Sequence, residues 1–330
     1  MSALSGRRIL VVGRDYFFYT RSIVEEIGTT HGADVTYVPI NPETFAYSAL
    51  KRLPWLSARW LDRYHRQRVA DLANIQFDTV LFIQVHQLGH DLIALYRNVF
   101  KTARFILYYW DSLQTHDYRP YLKYFDQAWT FDREDAQLEP DLKYLPLFFC
   151  ERFRGLRAST QYSHDLVFVG TAMSLRRYDM VDTFRRWARA ECVLFYDYLY
   201  VSPAFYLRRL LHGQRLQDVH FRALSAERLI GIYRGSRAIL DLPDNIQSGL
   251  TMRTFESLGA HRKLVTSQRD VVGEEFFNAN SVFVLGVHGN YPSRKFLHAA
   301  MVDDDRIETH SLRQWLLTLL SATATPSQPA

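Results

Sequence analysis

The sequence is poor in the residues from which disulfide frameworks and thiolate metal sites are built. Its 330 residues contain two cysteines, Cys150 and Cys192, which lie far apart in the chain. They form neither a disulfide framework nor a Cys/His metal spacing, and so few cysteines favour a reducing cytoplasm. Cys192 begins the apolar run CVLFY, which predicts a small buried thiol within a strand.

Long hydrophobic runs are also missing. No stretch approaches the roughly 20 apolar residues that a bilayer-spanning helix needs. The N-terminal sequence MSALSGRRILVVG contains only the short run ILVV, which is typical of a strand core and shorter than the apolar part of a secretory signal. We therefore expect a soluble, cytoplasmic protein.

Neither sign of charge dominates the chain. Its 40 Lys and Arg residues against 35 Asp and Glu residues give a formal net charge of +5. Such a modest surplus fits an anionic small ligand or an anionic membrane surface as well as nucleic acid, and it selects none of them.

Short apolar runs alternate with helical patterns along most of the chain. Continuous apolar runs separated by helices are typical of a parallel sheet that is covered on both faces. We predict an α/β protein with two Rossmann-like domains in series, since the length also suits two domains. The predicted strands are 8–13, 34–40, 78–85, 104–111, 128–132, 144–148, 165–170, 191–198, 218–224, 237–243, 263–267 and 281–286.

A polar, strand-free segment at 150–164 is predicted to be the interdomain linker. It divides an N-terminal domain, 1–152, from a C-terminal domain, 153–322, whose last helix (313–320) is free to pack back on the first domain. The small, polar tail 323–330 is predicted to be disordered. Because ligands of such sheets bind beyond the carboxyl ends of the strands, we expect both domains to face one central cleft.

The stretch NIQSGLTMRTFESLG (245–259) predicts a polar turn that opens a helix with no acidic residue directly after the turn. The first amides of a helix lack partners and carry a partial positive charge, so an anion binds well there. Three small residues let a phosphate approach the backbone: Ser248, Gly249 and Thr251. Arg253 is suited to neutralise a diphosphate and Glu256 to accept hydrogen bonds from ribose. The alternative is an N-capped helix with an ordinary surface ion pair.

The longer segment SGLTMRTFESLGAHRKLVTS (248–267) resembles the donor-site segment of GT-B glycosyltransferases, especially the CgeB-like and the capsule or lipopolysaccharide enzymes. The resemblance implies that Glu256 is the second glutamate of their Glu-x7-Glu pattern. The first falls at Ser248, so that acid is missing here.

A second segment, LVFVGTAMSLRRY (166–178), is similar to the start of the C-terminal domain of these enzymes. It implies that Gly170, with Arg176 or Arg177, approaches the donor diphosphate. The alternative is a strand-to-helix turn with surface arginines.

In the N-terminal domain, ILYYWDSL (106–113) and WTFDREDA (129–136) resemble the CgeB-like pattern more weakly. Asp111 is predicted at the carboxyl end of a strand, where an acceptor-activating base belongs; the alternative is that it caps the next helix. Asp15 and His86, which follow the first and third strands, are further candidates, although a histidine there also fits a structural role.

Two further patterns bear on function. The loop after Gly13 lacks a G-x-G-x-x-G fingerprint, which argues against a dehydrogenase. The run DDD (303–305) is interpreted as solvated charge or a helix start. No metal is expected, since helix dipoles and arginines stabilise the departing diphosphate in the enzymes that the chain resembles.

The segment KRLPWLSARWLDRYHRQRVA (51–70) carries six Lys and Arg residues against one Asp, with Trp55, Trp60 and Tyr64 interleaved. Basic residues and interfacial aromatics on one helix suit an anionic membrane surface. The alternative is a solvated basic helix whose tryptophans pack on the sheet.

Together these patterns predict a metal-independent glycosyltransferase of hexosyltransferase type, with a nucleotide-diphosphate sugar as co-substrate and no resident cofactor. The expected acceptor is a saccharide or lipid-linked saccharide of a surface polysaccharide or glycolipid, used in the cytoplasm or on the inner face of the membrane, with no nucleic acid involved. Two alternatives stay open: a GT-B-like sugar-nucleotide epimerase, and a non-catalytic nucleotide-sugar-binding module.

Overall fold

The structure of the protein is a computed structural model, which describes residues 2–44, 47, 53–243, 248–302 and 304–321. The chain forms two compact units. Unit 1 consists of Met1–Pro146 together with Leu312–Ala330, and unit 2 consists of Leu147–Ser311. The tail predicted at 323–330 lies outside the described residues.

Unit 1 is built on a parallel sheet of six strands in the order β2-β1-β3-β4-β5-β6. The inner strands are buried on both faces, which is why their sequences read as continuous apolar runs with no polar alternation. The strands are β1 Arg8–Gly13, β2 Asp34–Pro39, β3 Thr79–Ile83, β4 Arg104–Tyr109, β5 Gln127–Thr130 and β6 Leu142–Tyr144.

Helices cover this sheet. They are α1 Tyr19–Thr29, α2 Pro54–Leu72, α3 His90–Val99, α4 Arg133–Leu138 and, from the end of the chain, α11 Leu312–Ser321, with a 3₁₀ helix at Arg119–Tyr124. The last helix belongs to unit 1 because Trp315 is buried edge-on against the ring of Tyr108.

Unit 2 repeats the plan with five parallel strands in the order β11-β10-β9-β7-β8. The strands are β7 His164–Thr171, β8 Phe195–Tyr200, β9 Ser236–Asp241, β10 Lys263–Thr266 and β11 Val282–Val284. The helices are α5 Glu151–Arg154, α6 Leu175–Ala190, α7 Pro203–Leu211, α8 Ala226–Arg234, α9 Met252–Gly259 and α10 Arg294–His298, with 3₁₀ helices at Arg269–Gly273 and Asp305–His310. Two parallel α/β units confirm the predicted fold class.

The predicted strand at 218–224 is wrong. In the structure this segment makes a single bridge, between Tyr200 and His220, and contains no strand. Asp218 has a positive φ of 50°. The buried guanidinium of Arg185 donates hydrogen bonds to the carbonyl oxygens of Gln217 and Asp218, so these oxygens do not pair with a neighbouring strand.

The prediction of a buried thiol at Cys192 is also wrong. Cys192 is exposed and has a φ of 53°, because it forms the turn between α6 and β8. The predicted strand 191–198 also starts too early: Val193 is buried, but Leu194 is exposed and β8 begins only at Phe195.

The segment 150–164 lies in unit 2 and is anchored by a buried arginine. Within it, Phe153 and Leu156 are fully buried. The guanidinium of Arg262, also fully buried, donates to the carbonyl oxygens of Leu156 at 3.0 Å and Ser159 at 3.2 Å. The same side chain donates to the carbonyl oxygens of Tyr233, Arg234, Ala260 and His261.

Candidate functional site

The carboxyl end of β9 carries a fully buried carboxylate that the sequence patterns did not single out, Asp241. A charge in that position needs hydrogen-bonded partners. Thr251 Oγ1 donates to Asp241 Oδ2 at 2.6 Å, and Arg253 Nη1 donates to Asp241 Oδ1 at 2.8 Å. The start of α9 is thereby tied to the end of the central strand of unit 2.

This arrangement changes the chemistry of the helix start. Thr251 occupies the N-cap position, where a threonine oxygen ordinarily accepts from a first-turn amide. Here its side chain makes no capping bond, because the hydroxyl is directed to Asp241, and the first turn holds no acidic residue. The α9 start therefore keeps the electropositive character that an anion can satisfy.

A glutamine from the neighbouring strand end fixes the turn that precedes α9. The main-chain N–H of Thr251 donates to Gln268 Oε1 at 3.2 Å, and Gln268 Nε2 donates to the carbonyl oxygen of Gly249 at 2.9 Å. Gln268 lies two residues after the end of β10 and is itself buried. The turn around Gly249 is thus held by two adjacent strand ends.

Arg253 lies among acidic and phenolic groups. Burial lowers the pKa of its guanidinium, but the charges of Asp241, Tyr233 and Glu256 outweigh burial and raise the pKa above the usual arginine value. The guanidinium of Arg253 is thus hydrogen-bonded to Asp241 and also lies near the charge of Glu256. Little of the positive charge of Arg253 is therefore left to attract a further anion.

Glu256 is 3% exposed, in a helix whose residues from Thr254 to Gly259 are all buried. The alternative of an ordinary surface ion pair between Arg253 and Glu256 is therefore wrong. A carboxylate buried this deeply belongs to a polar cluster with Arg253 and Tyr233.

The second predicted segment meets the first through one aromatic ring. A Cβ on Gly170 would lie 2.7 Å from the ring of Phe168, so any larger residue at that position in β7 would require the ring to shift. The guanidinium of Arg253 lies over the same ring, 5.8 Å from its centroid. The residues predicted at Gly170 and at the α9 start are therefore neighbours in space.

The two arginines after β7 differ in their surroundings. Arg177 Nη1 donates to the carbonyl oxygen of Thr171 at 2.9 Å, and its main-chain N–H donates to Ser174 Oγ, the N-cap of α6. Arg176 is exposed. Ser248, at the position of the missing family acid, is partly buried, and Gly249 is buried.

In unit 1, the predicted residues His86 and Asp111 follow β3 and β4, and the structure places them near each other. Gln84 Nε2 donates to Asp111 Oδ2 at 2.7 Å, from a backbone with a φ of 66°. Burial lowers the pKa of His86, and the nearby Asp111 carboxylate partly offsets this. The His86 ring lies 5.7 Å from the ring of His116. A carboxylate beside a neutral imidazole can move a proton.

Asp111 does not cap a helix, so that alternative is wrong. The next helix in the chain begins at Arg119 with Tyr118 as its N-cap. The aspartate that does cap a helix in this region is Asp132, which accepts from the amides of Glu134 and Asp135 at the start of α4.

Asp15 takes part in a different cluster. It pairs with Arg21 at 3.0 Å, and Arg21 also donates to both carboxylate oxygens of Glu43, at 3.0 and 3.1 Å. Beside them lies an open cavity of about 580 Å³ whose lining includes Arg21, Glu43, Trp60 and Tyr64. An aromatic face next to a bound Arg–Glu pair offers both an apolar surface and hydrogen-bonding groups.

The basic segment 51–70 forms most of α2, and its residues 51 and 52 lie outside the described residues. Trp55 is 62% exposed and Trp60 41% exposed, so the alternative in which both tryptophans pack on the sheet is wrong. Two of its arginines are paired with acids on the same helix, Arg66 with Asp62 and Arg68 with Asp71. Within the described ranges, no helix is long and apolar enough to cross a bilayer.

Asp304 caps the 3₁₀ helix that follows it, as expected of a helix start, while Asp303 lies outside the described residues. In the part of the chain that the structure describes, no group of three or more His, Cys, Asp or Glu side chains is placed to hold a metal ion.

The two parallel α/β units have the GT-B fold. The chain is similar to an α,α-trehalose-phosphate synthase (UDP-forming) from Burkholderia xenovorans, solved with glucose-6-phosphate, at a TM-score of 0.59 and 10% identity, over 96% of this chain and 99% of that one. It is also similar to the lipopolysaccharide outer core galactosyltransferase WaaB, at a TM-score of 0.51 and 11% identity, over 93% and 96% of the two chains.

A third similar structure is AviGT4, a glycosyltransferase involved in avilamycin A biosynthesis, at a TM-score of 0.51 and 12% identity, over 96% of this chain and 99% of that one. Identities this low show a shared fold and nothing about substrates. No family model and no curated protein sequence matches the chain.

Proposed function

We propose that the protein is a glycosyltransferase that moves a hexosyl group from a nucleoside-diphosphate sugar to a saccharide or lipid-linked saccharide. One observation carries the proposal: the start of α9 has neither a side-chain cap nor a first-turn acid, and it is held in place by Asp241. Such a helix start is suited to an anionic ligand. The GT-B fold supports the same function.

In this proposal the donor lies at the carboxyl ends of β7 and β9. The diphosphate is bound by the main-chain amides of the α9 start, beside the Gly249–Thr251 turn, in which the Thr251 N–H already donates to Gln268. Arg253 adds only part of the positive charge, because it is paired with Asp241. Arg176 and Arg177 at the start of α6 supply the remaining positive charge. Glu256 accepts hydrogen bonds from the ribose hydroxyls.

The acceptor is bound by unit 1, and Asp111 is its base. The acceptor hydroxyl oxygen bonds to the anomeric carbon, the bond from that carbon to the diphosphate oxygen breaks, and the hydroxyl proton passes to Asp111. The nucleoside diphosphate leaves with the electron pair. Helix amides and arginines stabilise the charge that develops on it, so the proposed reaction needs no metal. His86 is the second candidate for the base.

The proposed acceptors belong to surface polysaccharide or glycolipid synthesis. The resemblance of the segment 248–267 to the donor-site segment of capsule or lipopolysaccharide enzymes supports this class. The cavity beside Trp60, Arg21 and Glu43 is suited to a sugar unit of such an acceptor, since it combines an exposed aromatic ring with hydrogen-bonding charges. A peripheral position on the inner face of the membrane belongs to the same proposal.

A second candidate is a non-catalytic nucleotide-sugar-binding module. It is favoured by Ser248, which stands where the resembled enzymes have an acid, and by the charge of Arg253 being shared with two carboxylates. A GT-B-like epimerase is the third reading.

Release of nucleoside diphosphate separates these functions. The purified protein is incubated with UDP-, GDP-, ADP- and dTDP-sugars, and the free nucleoside diphosphate is measured over hours. A transferase releases it slowly from one donor with water as acceptor, and Glu256→Gln abolishes the release. An epimerase interconverts donors instead, and tight binding with no change to any donor supports the binding module.

A further inference from the structure

Helix α7 of unit 2 carries an apolar face on its outer side. Its core contact is Phe205, which is buried. At about 100° per residue, Leu207, Leu210 and Leu211 lie about 120–160° around the helix from Phe205, on the face opposite the core. They are 55%, 46% and 77% exposed. An ordinary surface helix has the reverse pattern, with its apolar stripe inward.

The apolar surface continues onto the loop that follows. Phe221 is 48% exposed, and its ring meets that of Tyr206 edge-on at 5.0 Å. Contiguous exposed apolar groups of this kind mark interaction sites, whereas single exposed leucines do not.

Arginines flank the leucines on both sides. Arg208 and Arg209 fall on either side of Phe205 on the helix wheel, so they separate the core-facing side from the leucines. The guanidinium of Arg209 lies over the Phe205 ring, 5.1 Å from its centroid. Arg215 and Arg222 follow, both exposed.

The charge of this surface is mainly positive. From Tyr198 to Gln217 the chain contains three arginines and no aspartate or glutamate, and exposed Asp218 is the one acid between this stretch and Arg222. Helix α2, another basic helix, differs in this respect, because Arg66 and Arg68 are paired with Asp62 and Asp71. A surface with more arginines than acids is complementary to an anionic partner.

We propose that this surface, made of Leu207, Leu210, Leu211, Phe221 and the four flanking arginines, docks on an anionic lipid bilayer. The leucines and Phe221 enter the boundary between headgroups and acyl chains, while the arginines reach the lipid phosphates. The proposal goes beyond the glycosyltransferase function and is independent of it, since binding to vesicles needs neither donor nor turnover.

The test is co-sedimentation of the full chain with vesicles of phosphatidylcholine containing 30% phosphatidylglycerol, and with vesicles of phosphatidylcholine alone. The protein is expected on the anionic vesicles only, and less of it at higher salt. The triple substitution Leu207→Gln, Leu210→Gln and Leu211→Gln is expected to weaken binding about tenfold or more. Arg208→Gln with Arg215→Gln is expected to weaken it about fivefold per arginine.

The matched control is Leu138→Gln with Leu194→Gln, two leucines that are 77% and 62% exposed elsewhere. This control is expected to bind as the unchanged protein does. The proposal is overturned if the unchanged protein stays in the supernatant, or if the triple variant binds as well as the control. It is also overturned if binding is lost only in Trp55→Ser with Trp60→Ser, which would place the contact on α2. Loss of self-association in the triple variant, without vesicle binding by the unchanged protein, would show a second copy as the partner.

Discussion

Arg253 Nη1 donates a hydrogen bond of 2.8 Å to Asp241 Oδ1, and this ion pair joins the start of α9 to the buried end of β9. The same carboxylate takes the Thr251 hydroxyl away from its capping role. Asp241 therefore has two consequences: it orients the one arginine of the α9 start, and it leaves that helix start without a side-chain cap.

We predict that Asp241→Asn weakens donor binding about tenfold and lowers the free energy of unfolding by about 3 kcal/mol, because it breaks a buried ion pair. The control is Asp197→Asn, which breaks the buried pair of Asp197 with Arg185 at 2.6 Å in the same unit. It is expected to lower stability similarly and to leave donor affinity unchanged. Calorimetric titration and chemical denaturation measure the two effects, and equal losses of affinity in both variants would contradict the account.

We predict that Asp111→Asn lowers the rate of nucleoside diphosphate release by about 100-fold or more, the range for loss of a general base. The donor dissociation constant should not change, because Asp111 lies in unit 1. Asparagine keeps an oxygen for the bond from Gln84. The comparison is His86→Asn under the same conditions: if it alone abolishes turnover, the histidine is the base.

Acid sensitivity of unit 1 is predicted from His65. Burial lowers its pKa to about 4, while the Ile40 carbonyl and Asp62 oppose the shift. Its ring nitrogens bond the Tyr96 hydroxyl and the Ile40 carbonyl oxygen, each at 2.9 Å. Below its unfolded pKa of about 6.5, the unfolded chain binds a proton that the folded chain does not, so stability present above that pH is lost as the pH falls toward 4.

The expected loss from His65 is about 3 kcal/mol between pH 6.5 and pH 4. Between these pH values the unfolded wild-type chain binds about one more proton than the folded chain. His65→Gln should remove this difference, so the free energy of unfolding, measured by urea denaturation across that range, should change less with pH. The exposed residue His212 provides the control. If His212→Gln flattens the curve as much as His65→Gln does, the assignment is wrong.

Arg262 is predicted to be a structural arginine of unit 2 with no part in donor binding. Arg262→Met leaves the six main-chain carbonyl oxygens it serves without that donor and should cost about 3 kcal/mol of stability. Exposed Arg189→Met is the comparison and should be near neutral. Loss of donor affinity in folded Arg262→Met protein would contradict the structural role.

The fold could be predicted from the sequence because buried parallel strands have continuous apolar runs, as in β3 and β9. The helix with Arg253 and Glu256 could be predicted because the turn and the helix that form it are adjacent in the chain. Asp241 and Gln268 could not, because their roles depend on neighbouring strand ends meeting in space. The strand prediction at 218–224 was wrong because Asp218 has a positive φ and its carbonyl oxygen accepts from Arg185, which lies far away in sequence.

Titration of the purified protein with a panel of UDP-, GDP-, ADP- and dTDP-sugars tests the central claim most directly. The account predicts that one nucleotide class binds and stabilises the unchanged protein, that Glu256→Gln loses the ribose-dependent part of that affinity, and that Asp241→Asn weakens the binding about tenfold. If no sugar nucleotide binds, or if both variants bind as tightly as the unchanged protein, the donor site at the start of α9 is contradicted.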